Sequence, residues 1–266
     1  MSRLPLSLRI AANAGASLVL AFLVMPILAV VPASFNKTSF IHLPPRAYSG
    51  VWYERFVEDA EWRSSLLNSL EVAVLATAIA VVIGTLAAIG LRRLDGRMRV
   101  VVTALFLSPM IVPVVVTAVA LYRSALDVGL NGTILGMSLG HVILALPFVF
   151  INVSIALRAV NESWLRAAAG LGAGPLTIFR TVTLPNIVPG IVGGGVFSFI
   201  TSFDEVIVAV FLAGHGNKTL PVKIWESIRL EFTPVIAVAA TAMIALAIVL
   251  FAVAQTVSPK TRDQAQ

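Results

Sequence analysis

The sequence predicts an all-α integral membrane protein, and three observations lead to this fold class. Hydrophobic residues make up 58% of the 266 residues and charged residues only 12%, whereas soluble domains contain roughly 45–50% apolar and about 25% charged residues. The mean hydropathy is +0.95. The apolar residues also fall into stretches of about 20, the length that a helix needs to cross a bilayer. A soluble core of this size could not bury so much apolar surface, so lipid is the expected solvent.

Six stretches have the length and composition of a membrane span, and we number these predicted spans one to six in chain order. They run roughly over residues 11–31, 66–91, 100–121, 133–157, 187–212 and 234–254. The first is expected to be a permanent span rather than a cleaved signal, because its apolar stretch is long and no clear small-residue cleavage site follows it. We therefore treat residues 1–266 as a single transmembrane domain.

Basic residues between the spans predict the orientation. If the N-terminus is inside, the inside segments hold eleven Lys and Arg residues and the outside segments hold eight. The short turn "LRRLDGRMRV" contributes four of these arginines, and short loops weigh most in the positive-inside rule. We therefore predict that both termini are cytoplasmic, with a C-terminal tail of about residues 256–266.

Several function classes are not expected for this composition. The chain has no cysteine, which excludes disulfides and thiolate chemistry, and His42, His141 and His215 are too far apart in sequence to predict a metal site. The net charge of +6 does not indicate nucleic acid, since the basic residues flank apolar runs. No G-x-x-x-x-G-K-[ST] phosphate loop occurs, so we expect no bound cofactor and no ATP hydrolysis, and therefore no enzyme, in this chain.

The longest predicted outside segment, residues 36–65, contains Trp52, Tyr53 and Trp62 among charged residues. Aromatic side chains at the membrane surface are the favoured interpretation. A docking role for these aromatics is the alternative.

Residues 158–186 form the longest predicted cytoplasmic loop. "NESWLRAAAGLGAG" predicts a short helix that Asn161 caps, with Gly172 and Gly174 ending it and Pro175 preventing its continuation. A second short turn, "PLTIFRTVTLP", is expected to lead to span five. Helices that lie on lipid usually have a broad apolar face opposite a basic one. This helix has small residues instead, which favours docking in a protein groove.

The segment "RAAAGLGAGPLTIFRTVTLPNIVPGI" resembles the cytoplasmic EAA signature of ABC importer permeases, written E-A-A, three residues, G, nine residues, then I-x-L-P. The matching positions are Ala167, Ala168, Gly172, Leu184 and Pro185, and Leu171, Ala173 and Phe179 agree with common variants. The resemblance implies six transmembrane helices of the ABC importer permease type in a bacterial inner membrane, with a coupling helix between spans four and five. It also implies a homologous permease, two ATPase subunits that bind ATP and Mg, and a periplasmic or lipid-anchored solute-binding protein.

Two positions depart from the signature. Val182 stands where isoleucine is usual, which is a minor change of volume. Arg166 occupies the position of the leading glutamate, and this reversal of charge prevents any ion pair that relatives make there. Either the ATPase carries a compensating acid or this subunit relies on its permease partner.

The downstream segment "FSFITSFDEVIVAVFLAGHGNKTLPVKIWESIRLEFTPVIAVAAT" resembles permeases that import polyamines, spermidine and putrescine, which implies a small cationic solute. Importers for another small solute, such as an opine, an aminophosphonate or ferric ion, remain an alternative. An ion-coupled secondary transporter with Asp204 or Glu205 as proton carrier is a further alternative, although it would need no coupling helix and often shows inverted repeats.

Asp204 and Glu205 are the strongest candidates for the substrate pathway, because they lie inside predicted span five. A carboxylate in that position costs several kcal/mol unless it is hydrated, paired or protonated, and it would attract a cation of charge two or three. Asp204 is slightly preferred, since a helix can turn only one of two neighbours fully inward. The alternative is that these acids cap or pair with another helix.

Three weaker pathway candidates lie towards the outside. Glu71 is close to the outer end of span two, where it either lines the pathway or reaches interfacial water. Trp225 and Glu226 could stack on and pair with an amine, or be an interfacial aromatic and a solvated acid. Gly190 and Gly194 form a G-x-x-x-G pair that predicts close helix packing rather than substrate specificity.

Overall fold

The computed structural model describes residues 6–230 and 232–257, and in this range regular structure is helical apart from one isolated bridge between Asn36 and Tyr48. The helices are α1 Leu6–Ala33, α2 Val51–Glu58, α3 Ala60–Leu91, α4 Gly96–Leu107, α5 Val114–Asp127, α6 Ile134–Ala159, α7 Glu162–Gly170, α8 Pro175–Ile178, α9 Leu184–Phe203, α10 Ile207–Leu212, α11 Leu220–Leu230 and α12 Val235–Val257. Most of the predicted C-terminal tail, residues 258–266, lies outside the described residues.

The membrane spans agree with the predicted all-α class. Within the described residues, five helical segments are long and apolar enough to cross a membrane, and a bent pair of helices makes a sixth if it is counted as one span. Predicted spans one, two, four and six coincide with α1, α3, α6 and α12, with ends that differ by six residues or fewer. The six-span fold class is thereby confirmed.

Predicted span three is not a straight helix. Gly96–Met110 and Val114–Asp127 meet at 98°, and the bend contains Pro109 in a short 3₁₀ turn and Pro113 at the N-cap of α5. Proline has no backbone N–H and its ring clashes with the preceding turn, so a straight α-helix cannot continue through both positions. Predicted span three, residues 100–121, therefore corresponds to a bent pair of helices and not to one straight helix.

Predicted span five differs at both ends. A continuous helical run covers Pro175–Phe203, 29 residues, and it passes through a π-helical segment, Phe179–Thr183, without a break. The predicted second turn before span five is therefore part of the span. At the other end α9 stops at Phe203, and α10 begins only at Ile207. Asp204 and Glu205 thus lie in a break between two helices and not inside one.

The chain divides into two compact units, of which the first is formed by described residues within Met1–Arg63 and Glu226–Ala245. Its irregular segment is organised by the buried side chain of Asn36, which donates to the carbonyls of Ala33 (2.9 Å) and His42 (3.1 Å) and accepts from the His42 N–H (3.2 Å). Trp52 and Trp62 are each 5% exposed. Because burial leaves almost no surface of either side chain in contact with lipid or water, the interpretation of these two residues as membrane-surface aromatics is wrong.

The second unit, formed by described residues within Ser64–Trp225 and Leu246–Gln266, contains two apolar clusters. One joins α3, α6 and α9 around Val149, Val153 and Ile187, each with no exposed surface. The other joins α3, α5, α6, α10 and α11 around Met137 and Val208. Most of the described spans therefore converge on α6, which belongs to both clusters.

Close approach between α6 and α9 occurs at the predicted glycine pair. A Cβ on Gly190 would lie 2.5 Å from the Cβ of Ala156, and a Cβ on Gly194 would lie 2.8 Å from the Cα of Val149. Both distances are shorter than van der Waals contact. The predicted packing role of the G-x-x-x-G pair is therefore confirmed, and it holds α9 against α6.

We expect Gly194→Ala to destabilise the protein by about 1–3 kcal/mol, because the added methyl overlaps backbone that has to shift. The matched control is Gly90→Ala in α3, where a Cβ meets nothing within 4 Å and a helical Ala is favoured by roughly 0.5–1 kcal/mol. Thermal melting of the two purified variants in detergent measures the difference. A Gly194→Ala protein that melts no lower than the Gly90→Ala protein would contradict the proposed contact.

Candidate functional site

The predicted coupling helix is α7, and its first turn is capped as expected. The side chain of Asn161 accepts hydrogen bonds from the Ser163 N–H (2.9 Å) and from the Ser163 hydroxyl (2.8 Å). Glu162 occupies the first turn, where its charge is favourable to the helix dipole. The predicted start of the helix is therefore confirmed.

The end of α7 explains the spacing of the signature. Gly172 has φ +83°, a left-handed conformation that favours glycine, and its N–H donates to the Ala169 carbonyl (3.0 Å). The Ala173 N–H donates to the Ala168 carbonyl (3.1 Å). These two bonds form a Schellman motif, so Gly172 stops the helix as predicted. Gly174 instead is the N-cap of α8, and Pro175 is the first residue of that helix.

The surface around this turn is apolar as well as small. Leu171 is 89% exposed, Leu176 61% and Trp164 51%, while no atom lies within 4 Å of a Cβ placed on Gly172. Exposed apolar side chains of this size commonly mark an interaction surface. The sequence interpretation named only the small residues, although Trp164 and Leu176 are visible in the loop.

The remaining signature positions lie where α8 passes into α9. Phe179 opens the π-helical segment, and its carbonyl accepts from the Leu184 N–H five residues later. Pro185 follows and cannot donate to the carbonyl of Thr181, which is compatible with the widened turn before it. Leu184 is partly buried against the cluster around Val153. These positions therefore join the predicted coupling loop to the core of the second unit.

Arg166 has an acidic partner on its own helix. Its guanidinium lies 3.4 Å from the Glu162 carboxylate one turn earlier, and the two side chains are 73% and 71% exposed. Exposed pairs of this spacing contribute roughly 0.3–0.5 kcal/mol. The acid expected on another subunit is therefore not the only way to balance the reversed charge.

Asp204 and Glu205 have different environments in the break after α9. The Glu205 carboxylate accepts from the N–H groups of Ile207 (2.7 Å) and Val208 (3.0 Å), so it caps α10. Asp204 is exposed, and within the described residues its carboxylate makes no hydrogen bond or ion pair. Because neither residue is helical, the argument that a helix turns one of them inward is wrong. Asp204 is nevertheless the acid whose carboxylate is left available.

The three weaker candidates lie on helices. Glu71 is exposed on α3, and Trp225, which is 46% exposed, lies on α11 with Glu226. Trp225 and Glu226 are therefore helical. Two residues before Glu71, the Ser69 hydroxyl accepts from the Leu220 N–H (2.7 Å). This bond brings the start of α11 to the same part of α3 as Glu71.

A buried polar pair that the sequence interpretation missed lies just before the break. The Nδ1 of His141 in α6 is 2.9 Å from the hydroxyl of Ser202 in α9, and both residues are buried. From the sequence alone, His141 bears only on the argument against a histidine metal site. The sequence signal for this pair was a polar residue in each of two apolar spans, His141 in span four and Ser202 in span five.

Comparison with known proteins identifies relatives over almost the whole chain. Residues 80–263 match the family described as "Binding-protein-dependent transport system inner membrane component". The spermidine/putrescine transport system permease protein PotC of Haemophilus influenzae is 32% identical over 248 residues, which are 93% of this chain and 96% of that protein. The putrescine transport system permease protein PotI of Escherichia coli (strain K12) is 32% identical over 228 residues, covering 83% of this chain and 80% of that protein.

A solved structure gives the same result for the fold. A bacterial ABC transporter involved in the import of the acidic polysaccharide alginate contains a chain that matches with a TM-score of 0.73 at 18% identity, over 96% of this chain and 99% of that one. The resemblance to polyamine permeases and the fold class are thus both confirmed. The chain belongs to the family of binding-protein-dependent transport system inner membrane components, the multi-pass permease subunits of ABC importers.

Proposed function

We propose that this chain is a permease subunit of an ATP-driven importer for polyamines such as spermidine and putrescine, and that it forms half of the translocation pathway. The observation that carries the substrate class is the similarity to PotC over 93% of the chain. The exposed carboxylate of Asp204 between α9 and α10 supports it, because an acid at a helix break in an apolar region attracts a polyvalent cation. A different small solute remains the second candidate.

The coupling mechanism that we propose begins at the turn around Gly172. A groove of a partner ATPase receives Leu171, Leu176 and Trp164, and closure of the ATPases on ATP moves this turn. Both termini and the coupling loop are cytoplasmic in this arrangement, with the substrate captured by an external binding protein. ATP and Mg are bound and used by the two partner ATPases, while a homologous permease provides the other half of the pathway.

The helical run Pro175–Phe203 gives this movement a direct route to the candidate pathway. At 1.5 Å per residue, its 29 residues extend over roughly 43 Å. It starts three residues after Gly172 and ends one residue before Asp204, so a movement of the coupling loop is carried to the helix break without an intervening flexible segment. The break then changes the exposure of Asp204 and Glu205, which is how ATP binding would alternate access to the site.

Transport in proteoliposomes that contain the complete complex tests the proposed function. We expect uptake of radiolabelled spermidine or putrescine that requires the binding protein and ATP and that does not follow an imposed proton gradient. Uptake that persists without ATP and follows the proton gradient would contradict the importer. ATP-driven uptake of a different solute in preference to polyamines would contradict the substrate alone.

We expect Asp204→Asn to lower the initial rate of spermidine uptake about tenfold or more, because one charge near a bound cation contributes roughly 1–4 kcal/mol between aqueous and partly buried environments. The matched control is Asp127→Asn on α5, whose carboxylate is 3.3 Å from Arg123 and 57% exposed. Uptake by the control is expected to be unchanged. Equal rates for Asp204→Asn and the unmodified protein would remove Asp204 from the pathway.

We expect Gly172→Trp to abolish association with the ATPase while insertion into the membrane survives, since the indole occupies the open space at the proposed docking surface. Gly129→Trp is the matched control, because Gly129 also has a positive φ, +69°, and nothing within 4 Å of its Cβ, but it lies in the turn before α6. Co-purification of the ATPase with each variant provides the measurement. Loss of the ATPase from both variants would show that backbone strain and not docking is responsible.

A further inference from the structure

A cavity of about 320 Å³ lies in the second unit where α3, α4, α6 and α7 come together. It is lined by Ala88, Leu91, Arg92, Arg99, Ser154, Leu157, Arg158, Val160 and Glu162. These residues come from the last turns of α3 and α6, the first turn of α4 and the first residue of α7, together with Arg92 in the turn after α3 and Val160 in the link between α6 and α7. The cavity therefore lies at the end of the spans that carries the coupling loop.

The charge of the lining favours an anion. Three arginines and one glutamate leave two net positive charges, and within the described residues the guanidinium groups of Arg92, Arg99 and Arg158 have no carboxylate partner. Glu162 is held by Arg166 at 3.4 Å, which reduces its repulsion of an anion. The Ser154 hydroxyl is buried without a hydrogen-bond partner. A change of its χ1 rotamer would allow it to donate a hydrogen bond to an anion in the cavity. A polyamine would be repelled here.

The surroundings of the cavity indicate where the anion comes from. Beside Arg99, the side chains of Met98, Val100 and Val101 are 58–68% exposed, and α4 has no buried residue. A phospholipid at the end of the spans could contact the exposed apolar side chains of α4 with its acyl chains and the arginines with its phosphate. Basic pockets between spans at this depth bind the head groups of anionic lipids, whereas a soluble phosphate would gain nothing from the apolar residues.

We propose that this arginine-lined cavity binds the phosphate of an anionic membrane phospholipid and so fixes the corner between α6 and the coupling helix. Arginine suits this ligand, because its planar guanidinium donates paired hydrogen bonds to phosphate oxygens. Glu162 lines the cavity and also pairs with Arg166. A lipid bound in the cavity would therefore influence the orientation of α7. The proposal depends on this chain alone and not on which solute is transported.

The experiment uses the full chain, purified with its co-purifying subunits, in nanodiscs of phosphatidylcholine with increasing phosphatidylglycerol at physiological ionic strength. Native mass spectrometry counts the phosphatidylglycerol molecules that remain bound. We expect Arg92→Gln/Arg99→Gln to weaken retention about 100-fold, because two hydrogen bonds to a charged group, each of roughly 1.5 kcal/mol or more, are lost. If that protein is not monodisperse, Arg158→Gln alone is expected to weaken retention about tenfold.

The matched control is Arg93→Gln/Arg97→Gln, which removes the same charge from the same turn without touching the cavity lining. Retention by this control is expected to stay close to that of the unmodified protein. Equal retention in both double variants, or equal loss, would overturn the proposal. So would displacement of the retained phosphatidylglycerol by inorganic phosphate. If Arg92→Gln/Arg99→Gln lost the ATPase but retained the lipid unchanged, the arginines would instead bind an acidic surface of the ATPase.

Discussion

The contact on which the second unit depends is the packing of glycines around Val149 in α6. A Cβ on Gly84 of α3 would lie 2.9 Å from the Val149 side chain, and a Cβ on Gly194 of α9 would lie 2.8 Å from its Cα. Helices in a bilayer gain little from apolar burial, because lipid is as apolar as the core, so they associate through close van der Waals contact. Small residues on both neighbours are what allow α3 and α9 to approach α6 this closely. The fixed position of α9 then determines where Asp204 lies.

Ending a helix within an apolar region creates polar groups that need partners, and this requirement accounts for the residues near Asp204. Backbone N–H and C=O groups exposed to lipid cost several kcal/mol each. Glu205 accepts from the first N–H groups of α10, and the pair of His141 and Ser202 links α6 to the last turn of α9. Glu205 is thus occupied structurally, and Asp204 is the acid whose carboxylate stays available for the proposed contact with a solute. The two adjacent acids therefore have different environments.

Local patterns in the sequence predicted the backbone conformation of residues 161–172 well, because this conformation depends on neighbouring residues. The cap at Asn161 and the stop at Gly172 each follow from backbone chemistry within five residues. The spans were predicted from average hydropathy, which does not detect a break of three residues. Pro109 and Pro113 signalled the bend in span three, but the apolar run around them outweighed that signal. The break at Asp204 could not be read from composition, since a carboxylate that caps a new helix and one that faces a pathway look alike in sequence.

The reversed charge at Arg166 is compatible with the family's coupling mechanism because it is balanced only by a weak ion pair on the same helix. Its pair with Glu162 is exposed on both sides and contributes only a few tenths of a kcal/mol. Such a pair holds the two charges together in the isolated chain and separates at little cost when an acid of another protein approaches Arg166. In the proposed docking, Leu171 and Leu176 would lose water whatever the charge beside them and so supply affinity, while Arg166 would select an ATPase surface of complementary charge. Under the proposed mechanism, the departure from the signature therefore concerns the choice of partner and not the route of movement through Pro175–Phe203.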